Sequence, residues 1–189
     1  MTSRHTIVGL AGALAVLGLA GCGAQTSSPP PTNVVAATVQ RKMVIYPGKE
    51  IHKPGWPKYD PAFWSAPQNS TVTLTIVSHD SGAAPLMMTQ DDKVSGTIGG
   101  VESIDGKAQS AVDNQDVAHT FTIPAMGLNL PIPVAPAGQT VTVVAQVRMP
   151  AAGSYSWQCM APCGTGPMGM GGPMVTPGYM QGTITVTPH

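Results

Sequence analysis

Residues 153–164, GSYSWQCMAPCG, decide how the rest of the chain is interpreted. A short strand pattern at 154–158 runs directly into Cys159 and Cys163, which lie four positions apart. The following residues, up to 174, are rich in glycine and methionine. Two cysteines this close are typical of either a small disulfide loop or a thiolate metal site. The sequence on both sides is needed to distinguish these alternatives.

Hydrophobic residues that alternate with polar ones predict β-strands on both sides of this stretch. The predicted strands are residues 38–46, 70–78, 117–123, 139–149, 154–158 and 181–187. In residues 117–123 the period of two predicts one shared face for Val117, His119, Phe121 and Ile123. No window shows helical periodicity. Short strands separated by glycine and proline turns predict an all-β protein, an antiparallel sandwich or barrel.

Two segments of the domain lack this alternation. Residues 47–68 are broken by prolines and contain Trp56 and Trp64, which predicts an ordered loop that packs aromatic side chains over a sheet edge. Residues 81–114 are predicted to be an insertion that holds one hairpin.

The first residues of the chain indicate export. Arg4 precedes an apolar run at residues 6–20, which is typical of a secretory signal. The run ends in Leu-Ala-Gly-Cys at residues 19–22, which resembles the bacterial lipobox and implies that Cys22 is lipidated. An uncleaved signal anchor is the alternative. We therefore expect a signal peptide at 1–21, a flexible Ser/Pro tether at 22–37 and the domain at 38–189.

Lipidation of Cys22 would hold the chain on the membrane at the outer face of the cell. It would leave Cys159 and Cys163 in a compartment where disulfides form, so this pair is predicted to be a disulfide or a metal dithiolate. Charged residues are 10% of the chain and the formal net charge is zero, so nucleic-acid binding is not predicted.

Three blocks of sequence carry a resemblance to a known family. The matching positions are Asp116, Val117, His119, Phe121 and Pro124 in the first block, Gly153, Tyr155, Cys159, Cys163, Gly164 and Met170 in the second, and Gly178, Met180 and Gly182 in the third. In this order they resemble the cupredoxin domain of cytochrome c oxidase subunit II, the CuA domain, which also occurs in nitrous-oxide reductase. The resemblance covers residues 116–186 and implies a cupredoxin-like Greek-key β-sandwich or barrel.

The resemblance also implies copper ligands. His119 matches a histidine ligand, Cys159 and Cys163 match the bridging thiolates, and Met170 matches the methionine. Ala161 stands where the family uses a backbone carbonyl. The family's second histidine would fall at position 167, which is Pro167 here.

A mononuclear site is the alternative to a binuclear one. His119, Cys159 and Cys163 could be joined by one of Met168, Met170 or Met174, because thiolates and thioethers favour Cu(I). A second imidazole could come from His79, His52 or His189.

These features predict a lipid-anchored, extracytoplasmic copper-binding cupredoxin that transfers electrons or holds copper. The alternatives are a copper delivery or assembly factor for a respiratory oxidase, and a metal-free relative with a Cys159–Cys163 disulfide. Expected partners are the membrane, a respiratory oxidase, a cytochrome or a copper chaperone. The sequence shows no nucleophile elbow, no catalytic carboxylate pair and no nucleotide-binding loop, so no motif predicts an enzyme. The first strand lacks tryptophan, so a core oxidase subunit is not expected.

Overall fold

The structure is a computed structural model that describes residues 37–188, which form two β-sheets packed face to face. The strands are β1 Thr38–Tyr46, β2 Lys58–Asp60, β3 Phe63–Pro67, β4 Thr71–Ser78, β5 Glu102–Ile104, β6 Lys107–Gln109, β7 Val117–Ile123, β8 Leu128–Pro133, β9 Val141–Arg148, β10 Gly153–Gln158 and β11 Gln181–Thr187. Short 3-10 helices occupy Thr89–Asp92, Asn114–Asp116, Pro124–Met126, Pro167–Gly169 and Gly172–Val175. No α-helix occurs in the described residues, and none of their helices is long and apolar enough to cross a membrane.

The strand order shows a Greek-key sandwich. One sheet has the order β2-β1-β4-β9-β5-β6 and the other has the order β3-β11-β10-β7-β8. The pairs β1–β4 and β3–β11 are parallel and the remaining pairs are antiparallel. Both sheets are therefore mixed, whereas the sequence predicted antiparallel pairing. The all-β sandwich predicted from the sequence is confirmed.

The core lies between the two sheets. Val72, Leu74 and Ile76 of β4 are buried, as their alternation with threonines predicts. Phe121 and Leu130 of the five-stranded sheet belong to the same buried cluster. Complete burial of such a side chain contributes about 1.5–3 kcal/mol, so the packed faces hold the strand ends in fixed positions.

The boundaries of β1, β7 and β11 match the sequence prediction, but β8 was not predicted. It contains Pro131 and Pro133, and proline is confined to edge strands because it cannot donate to a neighbour. β8 is indeed the edge strand of its sheet. A register shift between Val117 and His119 also interrupts the single face predicted for β7.

The two irregular segments contain short strands. Residues 47–68, predicted to be a loop, include β2 and β3, which form one edge of each sheet. In residues 81–114 the hairpin β5–β6 pairs through β5 with β9. This hairpin carries Glu102, whose side chain is buried.

Candidate metal centre

The site begins where β7 and β10 approach each other at one end of the sandwich. His119 lies within β7, and Cys159 follows the last residue of β10. The backbone N–H of Thr120 donates to Cys159 Sγ at 3.3 Å, and the N–H of Met160 donates to Thr120 Oγ1 at 2.8 Å. These hydrogen bonds fix the first thiol against the histidine strand.

The imidazole of His119 is oriented by a carboxylate from the other sheet. Its Nε2 lies 3.0 Å from Oδ2 of Asp80, which follows β4. The second carboxylate oxygen of Asp80 accepts from the Gly82 N–H at 2.9 Å. A ring N–H that donates to a carboxylate leaves the other nitrogen free to act as a metal ligand. That atom, Nδ1 of His119, is buried and has no hydrogen-bond partner.

Two free thiols face this imidazole. Cys159 Sγ and Cys163 Sγ are 3.5 Å apart, and the sulfur of Met174 is 3.4 Å from Cys163 Sγ. The Ala161 carbonyl accepts from the Cys163 N–H at 2.8 Å and lies 3.6 Å from Cys159 Sγ. The segment from Cys159 to Cys163 therefore folds back on itself and brings the two cysteine sulfurs together.

These donors are close enough to hold one metal ion. One ligand atom each from His119, Cys159 and Cys163 lies within 4.8 Å of the other two. Ligand bonds of about 2.0–2.3 Å span separations of this size with little movement. A buried imidazole with an unpartnered Nδ1 and two nearby thiols offers donor types that copper favours.

Charges within the cluster are strongly coupled. Burial alone would lower the pKa of His119, but the hydrogen bond to Asp80 and the negative charge of the nearby Cys159 thiolate raise it to about 9. Burial opposes ionisation of Cys159, yet the Cys163 hydrogen bond and the His119 charge hold its pKa well below the usual range. The hydrogen bond to Cys159 and burial raise the pKa of Cys163. Cys159 is thus the more acidic of the two thiols and Cys163 the less acidic.

An aromatic layer closes the inner side of the site. Tyr59 contacts both His119 and Trp157 at ring-centroid distances of 6.2 and 4.9 Å. The Tyr59 hydroxyl donates to the Thr120 carbonyl at 3.0 Å, and the Trp157 N–H donates to the Ala62 carbonyl at 2.9 Å. Both rings are almost completely buried. They exclude water from the inner side of the cluster.

Other predicted ligands lie elsewhere or remain predictions. His79 does not join the cluster of candidate ligands, because its Nδ1 lies 3.1 Å from Glu50 and its ring packs against Tyr46. Met168 is 72% exposed, and His52 is also exposed. Met170 is partly buried, and its role as a ligand stays a prediction. Cys22 and His189 lie outside the described residues.

Sequence reasoning missed the role of Asp80. Its signal was the pair His79-Asp80 at a predicted strand end, where the histidine was considered as a ligand. The fold brings Asp80 to His119 across 39 positions of sequence. Met174 was one of three candidate methionines, and only its sulfur forms a hydrogen-bond-type contact with a thiol among the described residues.

Comparisons with known proteins find only distant structural similarities. The chain is similar to rusticyanin, described as a copper protein, at 17% identity over 80% of this chain and 79% of that one, with a TM-score of 0.39. Auracyanin B shows 17% identity over 79% and 89% of the two chains, with a TM-score of 0.33. A multicopper oxidase from Aquifex aeolicus shows 14% identity over 85% and 31%, with a TM-score of 0.29. No protein-family model and no curated protein matches the chain. At these values the ligands must be argued from this chain's own residues.

Proposed function

We propose that this chain is a copper-binding cupredoxin-type protein that holds one copper ion. Nδ1 of His119 and the sulfurs of Cys159 and Cys163 are the ligands, with the Met174 thioether beside them. The observation that carries this proposal is the buried imidazole of His119, which has an unpartnered Nδ1 and lies with a ring nitrogen within 4.8 Å of two free thiols. A buried polar atom without a partner is costly, and a metal ion would satisfy it.

Copper bound here supplies one-electron redox chemistry, and a site with two thiolates and a thioether favours Cu(I). The protein's own residues bind and orient the ion. Asp80 fixes the His119 tautomer, and the Thr120 N–H stabilises the Cys159 thiolate. Tyr59 and Trp157 exclude water from the inner side. Metal binding should release protons from His119 and Cys163, since ligands must be deprotonated.

The proposed location is the outer face of the cell membrane, with Cys22 carrying the lipid anchor. The support is the sequence Leu-Ala-Gly-Cys at residues 19–22 after an apolar run. At this location the protein would transfer electrons to or from a respiratory oxidase or a cytochrome.

Copper holding and delivery is the second candidate function. It is favoured by Cys163, which is partly exposed at the wall of a surface pocket. A ligand that is open to solvent releases its metal more readily than a sealed one. The acceptor would be a copper chaperone or an oxidase during assembly.

The test is metal analysis of the reduced protein after copper loading and removal of excess copper, together with EPR and visible spectra. One copper per chain, lost in Cys159→Ser, is the expected result; a Cys22→Ser variant is the matched control. Two coppers with a delocalised mixed-valence signal would instead indicate the binuclear site of the CuA family. No retained copper and rapid formation of a Cys159–Cys163 disulfide would contradict the proposal.

A further inference from the structure

The two thiols of the cluster differ in their access to solvent. Cys159 is 2% exposed and is enclosed by Thr120 and the aromatic layer. Cys163 is partly exposed and lines a pocket with a volume of about 360 Å³. Asp80, the partner of His119, lines the same pocket. This pocket therefore leads to the cluster from the Cys163 side.

The walls of the pocket come from two separate segments. Ser81 and Gly82 form one wall, and residues 47–49 with 54, 55 and 57 supply the other. Turn hydrogen bonds hold this second segment, including Lys53 N–H to the Gly48 carbonyl at 2.8 Å. A Cβ at Gly48 would lie only 2.3 Å from the Lys53 carbonyl oxygen, so the turn needs glycine at this position.

Contacts of Lys53 and Trp56 with Tyr179 hold the second wall against the segment that follows the candidate ligands. Nζ of Lys53 lies 3.3 Å from the ring centroid of Trp56 and 3.3 Å from the hydroxyl of Tyr179. Trp56 also packs edge-on against Tyr179 at 5.1 Å. Because these contacts join residues 53–56 to the segment after Met174, the pocket has a defined shape beside the cluster.

We propose that this pocket is the port through which copper is exchanged, with Cys163 as the first ligand to receive the ion and the last to release it. This inference rests on the proposed function. The exchange partner is a thiolate that enters the pocket. On release the bonds from Cu(I) to His119 and Cys159 would break first. A bond to the sulfur of the entering thiolate would then form as the bond to Cys163 breaks, and His119 and Cys163 would each take up a proton from solvent. Copper stays Cu(I), so no oxidant or reductant is required.

The size of the pocket suits a small thiol. Its volume is at the lower end of the range for small-molecule sites. Lys49 and Asp80 both line the pocket, so their opposite charges offset each other there. The pocket therefore does not repel the negative charge of an entering thiolate. Bathocuproine disulfonate, a larger Cu(I) chelator, can report the released ion without entering.

The first arm of the test uses the reduced, copper-free protein and iodoacetamide, with peptide mapping of both cysteines. We expect at least about ten-fold more label on Cys163 than on Cys159, because the reagent reaches Cys163 from the pocket, whereas burial of Cys159 outweighs its larger thiolate fraction. Ser81→Phe and Pro54→Phe, which fill the pocket from opposite walls, should each slow the labelling of Cys163 about ten-fold. Ala83→Phe adds the same bulk to an exposed residue outside the pocket lining and is the matched control.

The second arm uses the copper-loaded protein, with glutathione as the entering thiolate and the chelator as the reporter. The two filled-pocket variants should load copper more slowly, so they are incubated with Cu(I) until they hold the same copper per chain as the native protein. Glutathione should then accelerate Cu(I) release from the native protein and from Ala83→Phe, but not from the two filled-pocket variants. Equal labelling of both cysteines, or unchanged release in the filled-pocket variants with copper still bound, would overturn the port alone. A native protein that retains no copper would overturn the proposed function and the port together.

Discussion

His119 at the metal end and Glu102 in the β5–β6 hairpin present the same anomaly in different surroundings. Both side chains are buried, and each has side-chain atoms without a hydrogen-bond partner: Nδ1 of the histidine and both carboxylate oxygens of the glutamate. The His119 ring lies with a nitrogen within 4.8 Å of two thiol sulfurs, whereas the strand register puts Glu102 beside the buried Ala145 of β9. An unpartnered polar atom thus indicates a ligand site only when other donors converge on it.

The distinction between His119 and Glu102 is tested most strongly by substituting each side chain in turn. His119→Gln should lower copper affinity by more than about 100-fold, because loss of an outer partner alone costs about 10–100-fold. Glutamine keeps an amide that can bond to Asp80, so the fold should persist. Glu102→Gln should leave copper affinity unchanged. Competition with a Cu(I) chelator measures both variants, and loss of copper in Glu102→Gln would contradict the distinction.

Glu102 should instead control stability as a function of pH. Burial raises the pKa of Glu102 to about 8 from an ordinary value of 4.5. Between these values the unfolded chain loses the proton and the folded protein keeps it, so the free energy of unfolding falls as pH rises. At about 1.4 kcal/mol per pH unit, the loss between pH 4.5 and 8 has an upper limit of about 5 kcal/mol.

Urea unfolding of the copper-free protein at pH 5 and pH 8.5 measures this loss. Glu102→Gln is the matched control, because it keeps the shape of the side chain and removes its charge. The variant should lose much less stability between the two pH values than the native protein. An equal loss in both proteins would assign the pH dependence to other groups.

Asp80→Ala should give the next largest loss of copper affinity after His119→Gln. It removes the acceptor that fixes the His119 tautomer, and such outer partners contribute about 10–100-fold to metal affinity. Asp80→Asn is the sharper comparison, since its amide oxygen can still accept from Nε2 without a negative charge. We expect Asp80→Asn to recover most of the affinity that Asp80→Ala loses, measured by the same chelator competition. Equal losses of copper affinity in the two variants would show that the negative charge of Asp80, rather than its orientation of His119, supports metal binding.

The sequence predicted the parts of the molecule that depend on local patterns. Alternating residues located β1, β7 and β11, and short-range spacing brought Cys159 and Cys163 to one site. β8 escaped prediction because prolines are tolerated at a sheet edge, and edge position is a property of the whole sheet. Asp80 escaped for a related reason: it reaches His119 only because β4 and β7 belong to different sheets whose ends meet.

The smallest predicted effect on copper affinity distinguishes Met170 from Met174, two methionines that follow Cys163 in the sequence. The family resemblance indicates Met170, whereas the geometry favours Met174, whose sulfur lies 3.4 Å from Cys163 Sγ. Leucine nearly conserves the volume of methionine, so each substitution should cost less than about 1.5 kcal/mol of stability. Met174→Leu should lower Cu(I) affinity several-fold, to about ten-fold, because a thioether is a soft ligand for Cu(I). Met170→Leu should change it less than two-fold, about the limit of chelator competition. The reverse result would mean that copper binding rearranges residues 167–175 and brings the position matched by the family into contact with the metal.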